Sequence, residues 1–404
     1  MNTRIVIVGG SVGGVKVAQG LRSGGFDGEI VIVEQEDVPH PYDKPPLSKR
    51  HLVENDDVRA IPLVDAADFA DLDVTWRGGV AASGLNLARK EVELTDGERV
   101  AYDRLVIATG SRARPSPWGD GPGIHVLRTI ADAERLRRDL RPGKRLVVVG
   151  GGFIGAEVAA TARKIGVEVT MIDPLPAPMS RALNDDIGEI FAAKHAAEGV
   201  RMRFGRGVAA VERVGVEMIV ALTDGERVSA DAVLVGIGAM VNTEWLEASG
   251  LTIDNGVVTD VCLRAIGTED VYVVGDVCRW QHVDGLATTR LEHWTSATGQ
   301  ARLVARNILA PNDERAYEPV EYVWSDQYDW KIQVVGRTGT DGSQLIGEPD
   351  GGRFVVIYSA DGESVTGAVV VNWPRALVTV RRAVASNENK ADVVRALEGA
   401  IAPA

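Results

Sequence analysis

Cysteine is nearly absent from this sequence, which has only Cys262 and Cys278 among its 404 residues. The two lie too far apart in the chain for the Cys-x-x-Cys spacing of a redox-active pair or a zinc site. We therefore interpret both as buried thiols and predict no metal site.

Long apolar runs are also missing. The longest apolar stretches, such as residues 232–241, fall well short of the roughly 20 residues that a membrane helix needs. The first residues lead directly into a short apolar strand, without the longer apolar core and cleavage site of a signal peptide. We therefore expect a cytoplasmic protein with no membrane partner.

Basic residues are outnumbered, with 44 Lys and Arg against 57 Asp and Glu and a net charge of −13. Nucleic acid is not an expected partner, because neutralising its phosphates requires clustered basic residues. The hydrophobic share of 45% excludes a disordered chain. A length of 404 residues fits two or three domains.

What the sequence does contain is one pattern twice: an apolar strand, a glycine turn, a helix and a second strand. The first copy has strands at residues 4–8 and 29–33, and the second has strands at 145–149 and 168–172. Backbone amides in such a turn, together with the helix N-terminus, bind a pyrophosphate. The pattern predicts an α/β fold with two Rossmann-type nucleotide-binding domains.

The second glycine turn carries a complete dinucleotide fingerprint. Gly150, Gly152 and Gly155 match G-x-G-x-x-G, and Asp173 ends the next strand 23 residues after Gly150. A carboxylate at this position accepts hydrogen bonds from ribose hydroxyls and repels a 2′-phosphate, so it favours NADH. Arg181 nearby leaves the strictness of that preference open. We assign NAD binding to Gly150, Gly152, Gly155, Asp173, Arg181 and Gly238.

The first glycine turn matches less completely. Gly9 and Gly14 are in place, but Ser11 stands where the central glycine is usual. Glu34 closes the following strand, as Asp173 does in the second copy. One imperfect turn is often only structural, but two turns with two acidic strand ends predict two nucleotide sites.

The last part of the chain, from about residue 318, is rich in predicted strands. We expect strands at residues 320–324, 331–335 and 354–358 and a helix at 391–401. These elements predict a separate C-terminal α+β domain.

Two further segments, Ala108-Thr109-Gly110 and Val274-Gly275-Asp276, accompany the two glycine turns. With those turns they resemble the FAD-dependent pyridine nucleotide-disulfide oxidoreductase superfamily, whose members carry further FAD motifs at these places. Residues 42–49, 292–294 and 324–329 are similar to segments beside the flavin and in the C-terminal domain of its ferredoxin reductase branch, which serves oxygenase systems. Lys44 stands where arginine is more usual in that branch.

This resemblance implies a glutathione reductase-like architecture. Residues 1–111 and 240–317 would form a discontinuous FAD-binding domain, 112–239 the NAD-binding domain and 318–404 the C-terminal α+β domain. Core packing is the commoner fate of a tryptophan, but the surrounding segments assign Trp294 and Trp324 to the flavin. The residues assigned to FAD are Gly9, Ser11, Gly14, Glu34, Lys49, Thr109, Gly110, Asp276, Glu292, His293, Trp294 and Trp324.

The resemblance also implies catalytic roles for Lys49 and Glu157. Lys49 would contact the isoalloxazine ring, and Glu157 would point toward the nicotinamide and the flavin. The alternative for Glu157 is a solvated carboxylate near the start of a helix.

Disulfide-reducing members of the superfamily carry a Cys-x4-Cys pair beside the flavin, whereas residues 39–49 here contain no cysteine. Reduced flavin must then pass its electrons directly to an external acceptor, and it can release them singly. The leading hypothesis is an NADH-dependent ferredoxin reductase that reduces a [2Fe–2S] ferredoxin serving a cytochrome P450 or a Rieske-type oxygenase.

Two alternatives stay open: a flavin-dependent NADH oxidase or quinone reductase, and a redox-responsive binding protein resembling apoptosis-inducing factor. Monomer and homodimer are both compatible with the sequence. An acidic ferredoxin would require a local positive patch on this acidic chain, although surface arginines are more often simply solvated. The candidates for the patch are Arg302, Arg306, Arg375, Arg381 and Arg382.

Overall fold

The computed structural model describes residues 3–53, 61–215, 217–283, 285, 287–339 and 342–400. The chain forms two compact units. The first unit comprises Met1–Asp43, Ala60–Arg112 and Met240–Pro319, and the second comprises Lys44–Arg59, Ala113–Ala239 and Val320–Ala404.

The helices and strands are numbered in chain order. The helices are α1 (Val12–Ser23), α2 (Arg50–Val53), α3 (Ala66–Ala70), α4 (Ile130–Asp139), α5 (Phe153–Lys164), α6 (Asp185–Ala197), α7 (Trp294–Leu309), α8 (Pro374–Ala385) and α9 (Lys390–Glu398). The strands are β1 (Arg4–Val8), β2 (Glu29–Glu34), β3 (Thr75–Gly78), β4 (Ala82–Asn86), β5 (Glu91–Leu94), β6 (Arg99–Ala101), β7 (Arg104–Ile107), β8 (Ser111–Ala113), β9 (Ile124–His125), β10 (Arg145–Val149), β11 (Glu168–Asp173), β12 (Arg201–Phe204), β13 (Val208–Val214), β14 (Glu217–Leu222), β15 (Arg227–Ala230), β16 (Ala232–Val235), β17 (Ala239–Val241), β18 (Val257–Thr259), β19 (Val271–Val273), β20 (Cys278–Gln281), β21 (Thr288–Thr289), β22 (Tyr322–Gln327), β23 (Trp330–Gly336), β24 (Gln344–Glu348), β25 (Arg353–Tyr358) and β26 (Gly367–Val371).

The first unit is built on a parallel sheet with the strand order β19-β7-β1-β2-β3. Its inner strands are nearly continuous β-branched runs that are buried on both faces, as in β1, where the neighbouring residues Ile5 and Val6 are both fully buried. Helices α1 and α7 pack against each other. Strand order reverses between β1 and β7, and ligands of such sheets bind at the carboxyl ends of the strands at that point.

The second unit repeats this arrangement with a parallel sheet in the order β12-β11-β10-β16-β9. Strands β13, β14 and β15 form an antiparallel sheet in the same unit. The predicted fold class, with two Rossmann-type modules, is confirmed.

The C-terminal part of the second unit is an antiparallel sheet in the order β22-β23-β26-β25-β24. One face packs on α8 and α9 around Val355 and Trp373, and the other packs on α6 around Phe191 and Phe354. Side chains on a strand alternate between the two faces, so Val334 faces the α6 side. The predicted C-terminal α+β fold is also confirmed.

Two boundaries differ from the sequence-based expectations, and helices α4, α6 and α8 were not predicted. The strand expected at residues 320–324 is β22, which begins at Tyr322 and runs to Gln327, because its hairpin with β23 pairs Gln327 with Trp330. The helix expected at 391–401 ends at Glu398, and residue 401 lies outside the described residues. The sequence reading missed α8, although its buried Ala376, Val380 and Ala383 have helical spacing.

The two cysteines differ in burial. Cys278 is fully buried, as expected, but Cys262 is only half-buried, so the interpretation of both as buried thiols is wrong for Cys262. None of the helices in the described residues combines the length and apolar character that crossing a bilayer requires.

Candidate active site

The first glycine turn joins β1 to α1 in the first unit. Gly9 has a φ of +112°, and a Cβ there would lie 2.2 Å from the Ala108 carbonyl oxygen. A Cβ at Gly14 would lie 2.0 Å from the Gly9 carbonyl oxygen. Ser11 is the N-cap of α1, but its hydroxyl makes no capping hydrogen bond. The helix therefore begins with backbone amides that are available to an anion.

The second glycine turn joins β10 to α5 with the same geometry in the second unit. Gly150 has a φ of +109°, and a Cβ at Gly155 would lie 2.0 Å from the Gly150 carbonyl oxygen. Gly152 is the N-cap of α5, and a Cβ there would meet nothing within 4 Å. In contrast, α4 has a complete capping box from Thr129 and Asp132. An uncapped α5 beside an open cradle fits a bound pyrophosphate.

The acidic residues at the two strand ends make equivalent contacts. Glu34 Oε2 accepts a hydrogen bond from Gly10 N at 2.6 Å, and Asp173 Oδ2 accepts one from Gly151 N at 2.6 Å. The second oxygen of Asp173 accepts from Leu175 N at 2.8 Å. A carboxylate oxygen has two lone pairs, so each carboxylate is fixed in place and can still accept from ribose hydroxyls.

Two arginines that the sequence reading did not identify lie close to Asp173. The backbone N–H of Arg206 donates to the Asp173 carbonyl oxygen at 3.2 Å. Arg203 and Arg206 both pair with Glu226, at 2.8 and 2.7 Å, and these residues line a cavity of about 250 Å³ with Phe204. Arg206 also pairs with Asp224 at 2.9 Å, so the carboxylates of Glu226 and Asp224 together balance the charge of the two guanidinium groups. Nothing in the sequence around residue 203 indicates this pairing.

Arg181 and Gly238, both assigned to NAD from the sequence, lie near each other in the second unit. Gly238 has a φ of +111°, and a Cβ there would lie 4.0 Å from Arg181 Nη1. Arg181 is exposed.

In the first unit, the residues of the additional FAD motifs are fixed by side chains that the sequence reading did not identify. Thr109 Oγ1 donates to the Asn242 carbonyl oxygen at 2.9 Å, and Asn242 Nδ2 donates to the Thr109 carbonyl oxygen at 2.8 Å. Gly110 has a φ of +62°. Asp276 is 8% exposed and accepts from Ser111 Oγ at 2.7 Å.

Residues 292–294 precede and begin α7. Trp294 Nε1 donates to Asp43 Oδ1 at 3.0 Å, and Glu292 pairs with Arg290 at 2.8 Å. Two buried nitrogens, Nδ1 of the α7 N-cap His293 and Nε2 of Gln300 within α7, have no hydrogen-bond partner among the described residues. Burial lowers the pKa of His293, so its ring is neutral at pH 7. Orphaned buried nitrogens fit a site that a polar cofactor such as FAD completes.

Lys49 and Glu157, assigned as catalytic by resemblance, form an ion pair inside the second unit. Lys49 Nζ lies 2.7 Å from Glu157 Oε2, and the side chains are 20% and 4% exposed. Ser48 Oγ donates to Oε2, and Ser325 Oγ donates to Oε1 at 2.7 Å. The alternative of a solvated carboxylate is therefore wrong, because Glu157 is buried and fully paired.

The segment that carries Lys49 is held against α5. Residues Pro45–Ser48 form a 3₁₀ helix, and Thr161 on α5 donates to the Ser48 carbonyl oxygen at 2.9 Å. Lys49 Nζ also donates to the Pro45 carbonyl oxygen at 3.2 Å. An ammonium has three N–H donors, and among the residues that the structure describes Glu157 and Pro45 accept two of them, which leaves one donor for a ligand.

Trp324 lies on β22 directly before Ser325. Its ring stacks on Tyr322 with centroids 6.3 Å apart. The sequence reading quoted Ser325 only as part of a motif, and its contact with Glu157 was not predicted.

The candidate docking arginines have different environments. Arg306 in the first unit pairs with Asp313, and Arg302 is exposed. On α8 in the second unit, Arg382 pairs with Glu388 at 2.9 Å and Arg381 lies over the Tyr322 ring at 5.1 Å. Arg375 is exposed. Their role in docking stays a prediction.

The sequence matches two family models. Residues 3–301 match the pyridine nucleotide-disulphide oxidoreductase family, and residues 322–398 match the reductase C-terminal family. In the part that the structure describes, no three His, Cys, Asp or Glu side chains come together in a group that could hold a metal ion.

Characterised relatives align over nearly the whole chain. Rhodocoxin reductase of Rhodococcus erythropolis is 37% identical, and the alignment covers 95% of this chain and 89% of that protein. The ferredoxin–NAD(+) reductase component of the anthranilate 1,2-dioxygenase system of Burkholderia cepacia is 35% identical, with 94% of each chain covered. The crystal structure of the covalent putidaredoxin reductase–putidaredoxin complex superposes with a TM-score of 0.89 at 32% identity, covering 98% of this chain and 99% of that one.

Proposed function

The chain belongs to the pyridine nucleotide-disulphide oxidoreductase family, and we propose that it is an FAD-dependent NADH:ferredoxin oxidoreductase. It takes hydride from NADH and delivers single electrons to a [2Fe–2S] ferredoxin, which serves a cytochrome P450 or a Rieske-type oxygenase. This proposal is carried by the two glycine turns, each of which leads into a helix without a side-chain cap. In each, a backbone N–H of the turn donates to the acidic residue that ends the next strand. One chain thus offers two dinucleotide sites of the same design.

In the first unit, the α1 turn would bind the FAD pyrophosphate and Glu34 its ribose. The orphaned nitrogens of His293 and Gln300 would receive polar groups of the same cofactor. Bound FAD supplies the conversion of a two-electron donor into a one-electron output. The proposed FAD residues are Gly9, Ser11, Gly14, Glu34, Lys49, Thr109, Gly110, Asp276, Glu292, His293, Trp294 and Trp324.

In the second unit, the α5 turn would bind the NADH pyrophosphate, and Asp173 would accept from the adenosine ribose. The Asp173 carboxylate would also repel a 2′-phosphate, while Glu226 and Asp224 balance the charge of Arg203 and Arg206, which would otherwise attract one. Both features favour NADH over NADPH. The proposed NAD residues are Gly150, Gly152, Gly155, Asp173, Arg181 and Gly238.

Lys49 is proposed to present its remaining N–H donor to the flavin ring. Glu157 Oε2 lies 2.7 Å from the Lys49 ammonium and holds it in place, and both side chains are largely buried. A charged donor that is already oriented loses little freedom when the ring binds, which is how fixed groups contribute to a rate. Since residues 39–49 contain no cysteine, the segment offers no thiol that could take electrons from the flavin.

We further propose that residues 1–111 and 240–317 form the FAD-binding domain, 112–239 the NAD-binding domain and 318–404 the C-terminal domain. The repeated sheet order and the two family matches support this division. We propose the cytoplasm as the compartment, where NADH and ferredoxins occur.

The function is tested by purifying the protein, recording its visible spectrum and following cytochrome c reduction by NADH with and without a bacterial [2Fe–2S] ferredoxin. Flavin bands near about 450 nm and a strong stimulation by ferredoxin are expected. Rapid reduction of oxygen or a quinone without any stimulation by ferredoxin would instead favour an oxidase or quinone reductase. Very slow electron output to every acceptor would favour a redox-responsive binding protein.

A further inference from the structure

Behind Glu157, a row of buried polar side chains continues through the second unit. Gln327 Nε2 lies 3.1 Å from Ser325 Oγ, and His195 Nε2 lies 3.1 Å from Gln327 Oε1. His195 Nδ1 lies 2.7 Å from the Tyr328 hydroxyl. Ser325, Gln327 and His195 are 0%, 2% and 1% exposed, so water cannot replace these bonds.

The direction of each hydrogen bond follows from the chemistry of the groups. An ionised carboxylate only accepts, so the Ser325 hydroxyl donates to Glu157 and must itself accept from the Gln327 amide nitrogen. The Gln327 amide oxygen then faces His195 and requires a proton on Nε2.

With Nε2 protonated in the neutral ring, His195 Nδ1 accepts from the Tyr328 hydroxyl. Burial lowers the pKa of His195 to about 4, which keeps the ring neutral. Burial also raises the pKa of Tyr328, which keeps its hydroxyl protonated and able to donate. Every bond in the row therefore donates toward the Glu157 carboxylate.

The row cannot carry a proton from one end to the other. An amide such as Gln327 keeps its two N–H protons and its carbonyl oxygen at ordinary pH, so it interrupts any proton transfer between His195 and Ser325. What the row can do is fix orientation, because a buried and fully satisfied network allows a single arrangement of its members.

We propose that His195 is a positioning residue for the flavin site: through Gln327 and Ser325 it fixes the Glu157 carboxylate, which in turn fixes Lys49. This inference rests on the proposed roles of Lys49 and Glu157. It assigns a role in the reaction to a histidine on α6 that is not itself a member of the Lys49–Glu157 ion pair.

A double-mutant cycle tests this positioning role. His195→Phe removes the donor, Glu157→Gln removes the group on which the row acts, and the third variant combines both. For each protein, the rate constant of flavin reduction by NADH is measured by stopped flow, and the absorption spectrum and midpoint potential of the bound flavin are recorded. If His195 acts through Glu157, His195→Phe slows reduction about 5-fold in the parent protein and has no further effect in the Glu157→Gln background.

Two conservative variants distinguish the proposed positioning role from a folding defect. His195→Gln keeps an N–H donor near the Nε2 position, whereas His195→Asn places its amide near Nδ1. His195→Gln is expected to restore the parental rate and flavin spectrum, and His195→Asn to behave like His195→Phe. A merely structural histidine would lower the unfolding temperature in all of them without changing the potential or spectrum of the flavin.

The outcomes separate this inference from the proposed function. If NADH does not reduce a flavin in the parent protein, the proposed function fails. If it does and Glu157→Gln slows the reaction, but the effects of the two substitutions multiply, the positioning role of His195 is overturned and the function stands. An unaltered rate and flavin potential in well-folded His195→Phe would overturn it as well.

Discussion

The Asp173 carboxylate accepts a hydrogen bond from the backbone N–H of Gly151 at 2.6 Å. Glu34 and Gly10 have the same relationship in the first unit, also at 2.6 Å. In both places, an acidic residue that would recognise a ribose also fixes the glycine turn that would bind the pyrophosphate. In each unit, one hydrogen bond therefore links the carboxylate proposed to bind the ribose to the glycine turn proposed to bind the pyrophosphate.

Cofactor preference should change when Asp173 loses its charge. Asp173→Asn keeps an oxygen for the Gly151 amide but no longer repels a 2′-phosphate. We expect the ratio of kcat/KM for NADPH to that for NADH to rise about tenfold, or about 1.4 kcal/mol. Steady-state assays with both nucleotides measure this ratio. The matched control, Glu34→Gln, should weaken FAD retention and leave the ratio unchanged; an unchanged ratio in Asp173→Asn would remove the assigned role.

Glu226 is expected to influence the same preference for NADH through the arginines with which it pairs. Glu226→Gln leaves Arg203 without its carboxylate partner, while Arg206 keeps Asp224, so the Arg203 guanidinium becomes available to a 2′-phosphate. In the Asp173→Asn background, Glu226→Gln should lower the KM for NADPH by about 3-fold or more. Glu168→Gln is the control, because Glu168 also pairs with an arginine but begins β11, whereas Asp173 ends it. Equal effects of the two substitutions would contradict this account.

Removing Lys49 should affect both stability and reactivity. Lys49→Met leaves the buried Glu157 carboxylate without its cation, which is expected to lower the free energy of unfolding by about 3 kcal/mol. Flavin reduction by NADH should slow as well. Urea unfolding and stopped-flow spectroscopy measure the two effects.

The double variant Lys49→Met/Glu157→Gln serves as the control for this substitution. It should recover most of the stability, because no unpaired charge remains buried, but it should not recover the rate. Recovery of both would show that Lys49 has only a structural role.

Stability should fall on acidification because of His195. Burial lowers the pKa of His195 from 6.5 to about 4, so the unfolded chain binds the proton more tightly than the folded one. The contribution is fully present above about pH 6.5 and is lost as the pH falls toward 4, by about 3 kcal/mol. Comparing His195→Gln with the parent protein isolates it, since Lys194 and Glu198 are retained in both. Parallel stability curves between pH 7 and 4 would contradict the prediction.

The parts of the site that depend on local sequence could be predicted. Gly150 and Gly155 stand at spacings that only a tight strand–helix turn requires, and the β-branched runs before them fix the strands. Asp173 follows from the end of the next strand. The family resemblance supplied Lys49 and Glu157, and the structure places them in contact within the second unit.

The support behind the site could not be predicted, because it joins residues that are far apart in sequence. Ser325 lies 168 residues from Glu157, and His195 lies 132 from Gln327. No local periodicity marks a polar residue whose partner comes from a distant strand. Helix α8 had a local signal in its buried alanines and valine, but its arginines suggested a surface face instead.

The central claim is that electrons from NADH leave this protein one at a time to a ferredoxin. The most direct test mixes the protein without oxygen with limiting NADH and an excess of oxidised [2Fe–2S] ferredoxin and records the visible spectrum of the ferredoxin. We expect about two ferredoxins to be reduced for each NADH consumed, because the donor gives two electrons and each cluster takes one. If NADH is consumed while the ferredoxin stays oxidised, the assignment as a ferredoxin reductase is contradicted.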